Sequence, residues 1–382
     1  MRRYDMDWLR VLVFGLLIFY HVGMFFVPWG WHIKNPVTYE WLVYPMLFVN
    51  QWRLPILFVI SGMGTYYALN KRSGGQFVRE RLKRLLIPLA AGMFLIVPPQ
   101  VYTERLVNGQ FLGSYLDFWP AHAFVGVYPD GNLSWHHLWF LPYLLLFSIV
   151  ATPAFLYLRR SPDNIVSQWI KKQVKSPLGL YWAIVPLYLA ESFLEPLFPV
   201  THALVGDWFT LVNFLILFLY GFLLISVKEV FWDTVEKKRR LFLLWGILGF
   251  SLWMGLIFSF EDSTWVHYTE AGLKVFNFWS WILVLFGYAA HYLNKPSRVL
   301  GYANEAVYPF YILHQTVTIL IGYVLLQLDL GFFPAFTIMV LGTFGASWIL
   351  YEYFIRRWTW LRPLFGLKIK TRARREWIPS RK

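Results

Sequence analysis

Residues 7–28 read DWLRVLVFGLLIFYHVGMFFVP, an apolar run that carries Asp7, Arg10 and His21. From Trp8 to Pro28 the run is long enough to cross a bilayer core, which needs about 20 apolar residues. Arg10 and His21 are separated by about three helical turns, which places them on one face and about 16 Å apart along the axis. Asp7 lies one turn before Arg10, within reach of an ion pair. Lipid rejects ionisable side chains, so such a stripe normally faces a protein interior or a water-filled cavity and marks a functional path. The plainer alternative has Arg10 reaching to the interface while His21 only hydrogen-bonds a neighbouring helix.

The rest of the chain supports a membrane setting. Of 382 residues, 58% are hydrophobic and 21% aromatic, and only 15% are charged. That composition predicts an all-α, polytopic membrane bundle rather than a soluble domain. The net charge of +14 would suggest a nucleic-acid partner in a soluble chain, but here the charges sit between apolar runs, so none is expected. The absence of cysteine excludes disulfides, thiolate metal sites and a cysteine nucleophile. The start, Met1-Arg2-Arg3, lacks a small-residue cleavage site and is read as leading into a retained span.

Ten spans are expected, near residues 8–28, 46–69, 85–103, 137–158, 178–198, 208–227, 241–260, 273–293, 301–328 and 333–355. All 35 Lys and Arg except Lys34, Arg53, Arg105 and Lys274 fall at the N-terminus, in alternate connections or in the tail. The positive-inside rule then predicts that both termini are cytoplasmic. The domain reading is a membrane domain over 1–360 and a basic cytoplasmic tail over 361–382, resting on anionic headgroups. The aromatic connections belong to the other side, and the longest, around Gly109 to Ser134, is long enough to be functional.

Several polar residues inside these spans could carry chemistry. Arg53, near the outer end of the second span, has no local partner and suits an anionic or hydroxyl-rich ligand. Ser61-Gly62 is either a small-residue packing site or part of a cavity. The run Arg79 to Pro88 is either a topology anchor or a phosphate-binding patch, because arginine forks match phosphate oxygens. His136 and His137 are adjacent at a helix start and point in different directions, so no shared metal is expected. His314, counted in from the start of the ninth span, reaches about 20 Å, a depth similar to that of His21. Glu191 and Glu195 are either an acidic lining or an interfacial pair.

Taken in order, several pieces resemble the acyltransferase-3 family of membrane O-acyltransferases. They are Asp7-Trp8-Leu9-Arg10 with His21, Trp31-His32, Arg53 with Phe58 to Gly62, and Arg81 to Pro88. His137 to Leu141, Tyr311 to His314 and Leu350-Tyr351-Glu352 complete the set. Within the family the chain is most similar to the branch that succinylates osmoregulated periplasmic glucans. It departs from many members in having Gln315 and Thr316 where a proline often follows the ninth-helix histidine, and from some in ending in a basic tail where they carry a soluble hydrolase-like domain.

The resemblance implies an acyltransferase of the bacterial inner membrane, using cytoplasmic acyl-CoA as donor substrate and holding no permanent cofactor or metal. It implies a glycan or lipid-linked carbohydrate acceptor, and acetyl or succinyl as the group moved. His21 would be the general base, with Arg10, Asp7 and His314 beside it. Arg10, Arg81, Lys83 and Arg84 would hold the donor. His32, Arg53, Ser61, His137, Trp139, Tyr311 and Glu352 would line the substrate sites. The competing expectation is a proton-coupled transporter, in which His21, His314, Glu191 and Glu195 relay protons.

Overall fold

A backbone inside lipid must satisfy its own N–H and C=O groups, so each apolar run becomes a helix. A computed structural model of the chain describes residues 3–161 and 164–369. The helices are α1 (Tyr4–Met24), α2 (Glu40–Leu69), α3 (Gly74–Val107), α4 (His136–Arg160), α5 (Leu178–Leu194), α6 (Trp208–Ser226), α7 (Lys228–Ser259), α8 (Thr264–Tyr292), α9 (Arg298–Leu325) and α10 (Phe332–Ile355). Among the described residues there is no strand, only an isolated bridge between Val127 and Leu133. The protein is an all-α, multi-pass membrane bundle.

Nine of these helices are long and apolar enough to cross a membrane. The fifth, expected to reach residue 198, stops at Leu194 and is the short one. Several helices begin earlier than their apolar runs, α3 and α7 by the most. Residues 74–84 of α3 and 228–240 of α7 are polar turns that continue the helix past its hydrophobic stretch.

The connections sort onto two faces. On one, the basic face, Tyr4 N–H donates to Asn294, Arg3 lies over the Trp232 ring, and Arg159 donates to the carbonyl of Leu69. On the opposite face, His32 meets Glu104, Tyr128 donates to Glu104, and Trp135 donates to the carbonyl of His202. The chain folds back after α10, where the buried Arg362 pairs with Glu305 and Gly366, at φ 70°, lies against Tyr308. The basic tail from Lys370 onward lies outside the described residues.

Prolines shape the helices that border the site. A proline lacks the N–H that would bond the carbonyl four residues back, and its ring crowds that carbonyl. Widened π turns at Leu82–Leu86, Gly92–Ile96 and Ala190–Leu194 each end just before a proline: Pro88, Pro98 and Pro196. Each orphaned carbonyl is taken by a side chain instead. The Tyr308 hydroxyl donates to Arg84 O (2.9 Å), Trp119 Nε1 to Phe94 O (3.0 Å) and His267 Nε2 to Ser192 O (2.9 Å). In lipid such substitution is what makes a helix break tolerable.

Helices α2 and α6 touch backbone to backbone at Gly62 and Gly221. A Cβ on Gly62 would meet Phe218 O at 1.9 Å, and one on Gly221 would meet Val59 O at 2.0 Å. Close approach through small residues drives helix association in lipid. The Ser61-Gly62 pair therefore divides its work, since Gly62 packs while Ser61 faces a cavity. Gly62→Ala should lower the thermal midpoint of the purified protein, at an overpacking cost of about 1–3 kcal/mol. Gly15→Ala, where nothing lies within 4 Å, should be neutral or stabilising in the same melt.

Candidate active site

Two cavities lie between the faces, one above the other. The first, about 350 Å³, opens among the basic connections and is lined by Arg10, Arg72, Arg81, Arg84, Asn304 and Tyr308. Arg10 stands 3.6 Å from Asp7 and 3.4 Å from Asn304, and Arg84 stands 3.7 Å from Glu80, which also holds Arg72. Four guanidinium groups thus face two carboxylates, an excess of positive charge suited to an anion such as phosphate.

The second cavity, about 720 Å³, is lined by histidines, aromatic rings and Arg53. His21 lies in its wall, and His21 Nδ1 is 2.6 Å from His314 Nε2. The tautomers follow from the partners. His314 Nδ1 faces the carbonyls of Tyr311 (2.7 Å) and Phe310 (3.2 Å), so it carries the proton and donates. Nε2 of a neutral His314 is then an acceptor, and His21 Nδ1–H donates to it. This leaves His21 Nε2 with the lone pair. A fixed imidazole with one nitrogen tied back and the other free has the form of a general base.

A second polar chain closes the other side of the cavity. His32 Nδ1–H donates to Glu104, and His32 Nε2 accepts from Gln315 Nε2 at 3.0 Å. Gln315 also donates to Gln100 (3.0 Å), and Gln100 donates to Thr316 (2.6 Å). His137 Nε2–H donates to the carbonyl of Ile312 at 3.0 Å, and its ring stands edge-on to His314, 5.2 Å between centroids. Arg53 is 6% exposed, donates to Asn50 (2.8 Å) and sits 3.4 Å above the Tyr20 ring, while its Nε has no partner.

Residues 3–352 match the acyltransferase-3 family, described as an acyltransferase domain. The chain belongs to that family. The acyltransferase-3 chain is similar to glucans biosynthesis protein C of Escherichia coli. The protein from strain SMS-3-5 is 24% identical over 372 residues, covering 93% of this chain and 92% of its own length. The strain K12 protein is 23% identical with the same coverage. No solved structure matches the chain.

Most residues singled out in this acyltransferase-3 sequence fall around the two cavities. Arg10, Arg81, Arg84 and Ser61 line the first, and His21, His32, Arg53, His137 and Trp139 the second. Tyr311 lines both, and its hydroxyl is engaged with the carbonyl of His137 at 2.6 Å. Lys83 does not join the first cavity: it is exposed, because two residues along a helix turn it far from the face of Arg81. Glu352 lines neither cavity and is held by Arg356 (3.0 Å) and the Tyr302 hydroxyl (2.9 Å). Glu191 is paired with Lys274, and neither it nor Glu195 lines a cavity.

Sequence reasoning gave no role to Arg72, Asn304 and Tyr308 in the first cavity, or to Glu104, Gln100 and His202 around the second. Adjacent His136 and His137 do serve different neighbours, since His136, at φ 39°, stands edge-on to His32 and Tyr128. Gln315 and Thr316, the departure from the family pattern, are the two links that join α9 to Gln100.

The loop 199–207 forms one wall of the histidine cavity. Asp207 is fully buried, accepts from the backbone N–H of His202 (2.9 Å) and Thr210 Oγ1 (2.7 Å), and binds the Tyr143 hydroxyl. These bonds press the His202 ring onto Trp139, 3.9 Å between centroids. Burial lowers the His202 pKa to about 4, with Asp207 partly opposing. The docked loop therefore prefers neutral imidazole. Docking is fully favourable above the ordinary histidine pKa and weakens as pH falls from about 6.5 toward about 4. Hydrogen exchange of peptides covering 199–207, corrected for intrinsic rates, should accelerate across that window, and His202→Phe should flatten the effect.

Proposed function

We propose that this protein moves an acetyl or succinyl group from cytoplasmic acyl-CoA to a hydroxyl of a glycan or other envelope acceptor. The observation that carries the reading is the His21–His314 contact of 2.6 Å beneath one cavity, with an arginine-lined cavity on its other side. The basic face is then cytoplasmic, with both termini on it, in the inner membrane of a bacterium. The name of the relatives, glucans biosynthesis protein C, supports a glycan acceptor.

In this mechanism the basic cavity holds the donor phosphates through the forks of Arg10, Arg72, Arg81 and Arg84. The slender donor arm passes up α1 and brings its thioester toward His21. His21 Nε2 takes the proton from the incoming hydroxyl as the oxygen bonds to the thioester carbon. The C–S bond then breaks, and the proton on His21 passes to the departing thiolate. Between the two steps the imidazolium is steadied by its Nδ1–H bond to His314. His314 lies behind His21 and does not line the cavity, so it is a positioning residue. The substrate groups of the second cavity, His32, Arg53, His137 and Trp139, orient the acceptor.

The purified chain, given radiolabelled acetyl-CoA or succinyl-CoA, should release CoA in an acceptor-dependent way. Ion-driven uptake into vesicles, with no loss of thioester, would instead favour a carrier. His21→Ala should lower transfer by about 10²–10⁴-fold with membrane insertion intact, as loss of a positioned base does. Arg10→Lys keeps the charge but loses the fork, so KM for the donor should rise more than kcat falls.

A further inference from the structure

The two cavities share four lining residues and no others: Phe14, Leu57, Phe140 and Tyr311. Each comes from a different helix, and each marks the same level in its own. On α1 Phe14 falls between Arg10, in the basic cavity, and His21, in the histidine cavity. On α2 Leu57 falls between Arg53 on the histidine side and Ser61 on the basic side. On α4 Phe140 separates His137 from Leu144, and on α9 Tyr311 separates Gln315 from Tyr308. The rings pack edge-on, Phe14 to Tyr311 at 5.4 Å and Phe140 to Tyr311 at 6.3 Å between centroids.

This layer offers water nothing to bind. Three of its members are hydrocarbon, and the fourth has its hydroxyl donated to the carbonyl of His137. Leu57 and Tyr311 are each 3% exposed. Apolar constrictions between polar chambers hold water out by dewetting.

We propose that Phe14, Leu57, Phe140 and Tyr311 form a dry septum that decides whether the acyl group goes to a hydroxyl or to water. The proposal rests on the acyltransferase reading above. A thioester coming up from the basic cavity lies within this layer with His21 just beyond it, so its carbonyl carbon is shielded from the water of both cavities until an acceptor hydroxyl reaches it from the histidine cavity. Without the shield, a water oxygen bonds to the carbonyl carbon, the C–S bond breaks, the thiolate takes a proton from that water, and a free acid leaves. Excluding water from a reactive intermediate is one of the main tasks of an enclosed site.

The test follows CoA thiol release by the full-length protein in detergent. The chain contributes no background because it has no cysteine. Acetyl-CoA and succinyl-CoA serve as donors, with and without glucose oligosaccharides as acceptor. In Leu57→Ala and Phe140→Leu, the ratio of acceptor-free to acceptor-dependent release should rise about tenfold, because water now reaches the thioester. Ile56→Val, beside Leu57 on α2 but fully buried and lining neither cavity, should keep the wild-type ratio. An unchanged ratio in both septum variants, or an equal rise in Ile56→Val, would overturn the septum and leave the acyltransferase reading standing. If Leu57→Ala does not fold, the milder Phe140→Leu decides alone. Wild-type protein that consumes neither thioester would remove the acyltransferase reading and the septum's role together.

Discussion

A hydrocarbon interior supplies no water to complete a hydrogen bond or solvate a charge, and this absence governs where every polar group in the bundle sits. Arg10, His21, Arg53, His137 and His314 are tolerated inside the membrane because each faces a cavity or another polar group. The helices could have hidden these groups in isolated pairs, as Lys274 and Glu191 are hidden. Instead they are gathered around two chambers stacked along one axis. The architecture thus lines two chambers inside the bundle with side chains that lipid would exclude.

Within these chambers the fixed tautomers matter as much as the residues. The carbonyls of Tyr311 and Phe310 set the proton on His314, and His314 in turn sets the proton on His21. The direction of the last lone pair is therefore dictated by backbone atoms of α9, two bonds removed from the chemistry. The Glu104–His32–Gln315 chain works the same way, with a carboxylate orienting one ring and an amide completing the other nitrogen. Such support is how first-contact groups are held in productive geometry.

Much of this was legible in the sequence, and the parts that were not share a cause. The stripe of Asp7, Arg10 and His21 stood out because charge is rare in an apolar helix. The positions of the ten helices followed from hydropathy, and the gathering of their basic connections on one face followed from the placement of Lys and Arg. The matching depth of His21 and His314 came from counting residues at helical rise. Glu104 and His202 were not visible, because their roles depend on loops that meet only after folding. The four-residue layer between the chambers was hidden for the opposite reason, since Phe14, Leu57 and Phe140 look like any other apolar residue in an apolar run. Lys83 and Glu352 show the reverse error: right in residue type, but turned by the helix or held by Arg356 away from the cavities.

The fold-back after α10 has a consequence for anything attached beyond it. Arg362 clips that segment to Glu305, and Gly366 rests on Tyr308, whose ring borders the arginine-lined chamber. The segment from Arg362 to Ile369 therefore sits beside that chamber. Under the proposed donor route, a bulky group attached within 367–369 would crowd the mouth of that chamber, whereas one attached in the 109–134 connection on the opposite face would not.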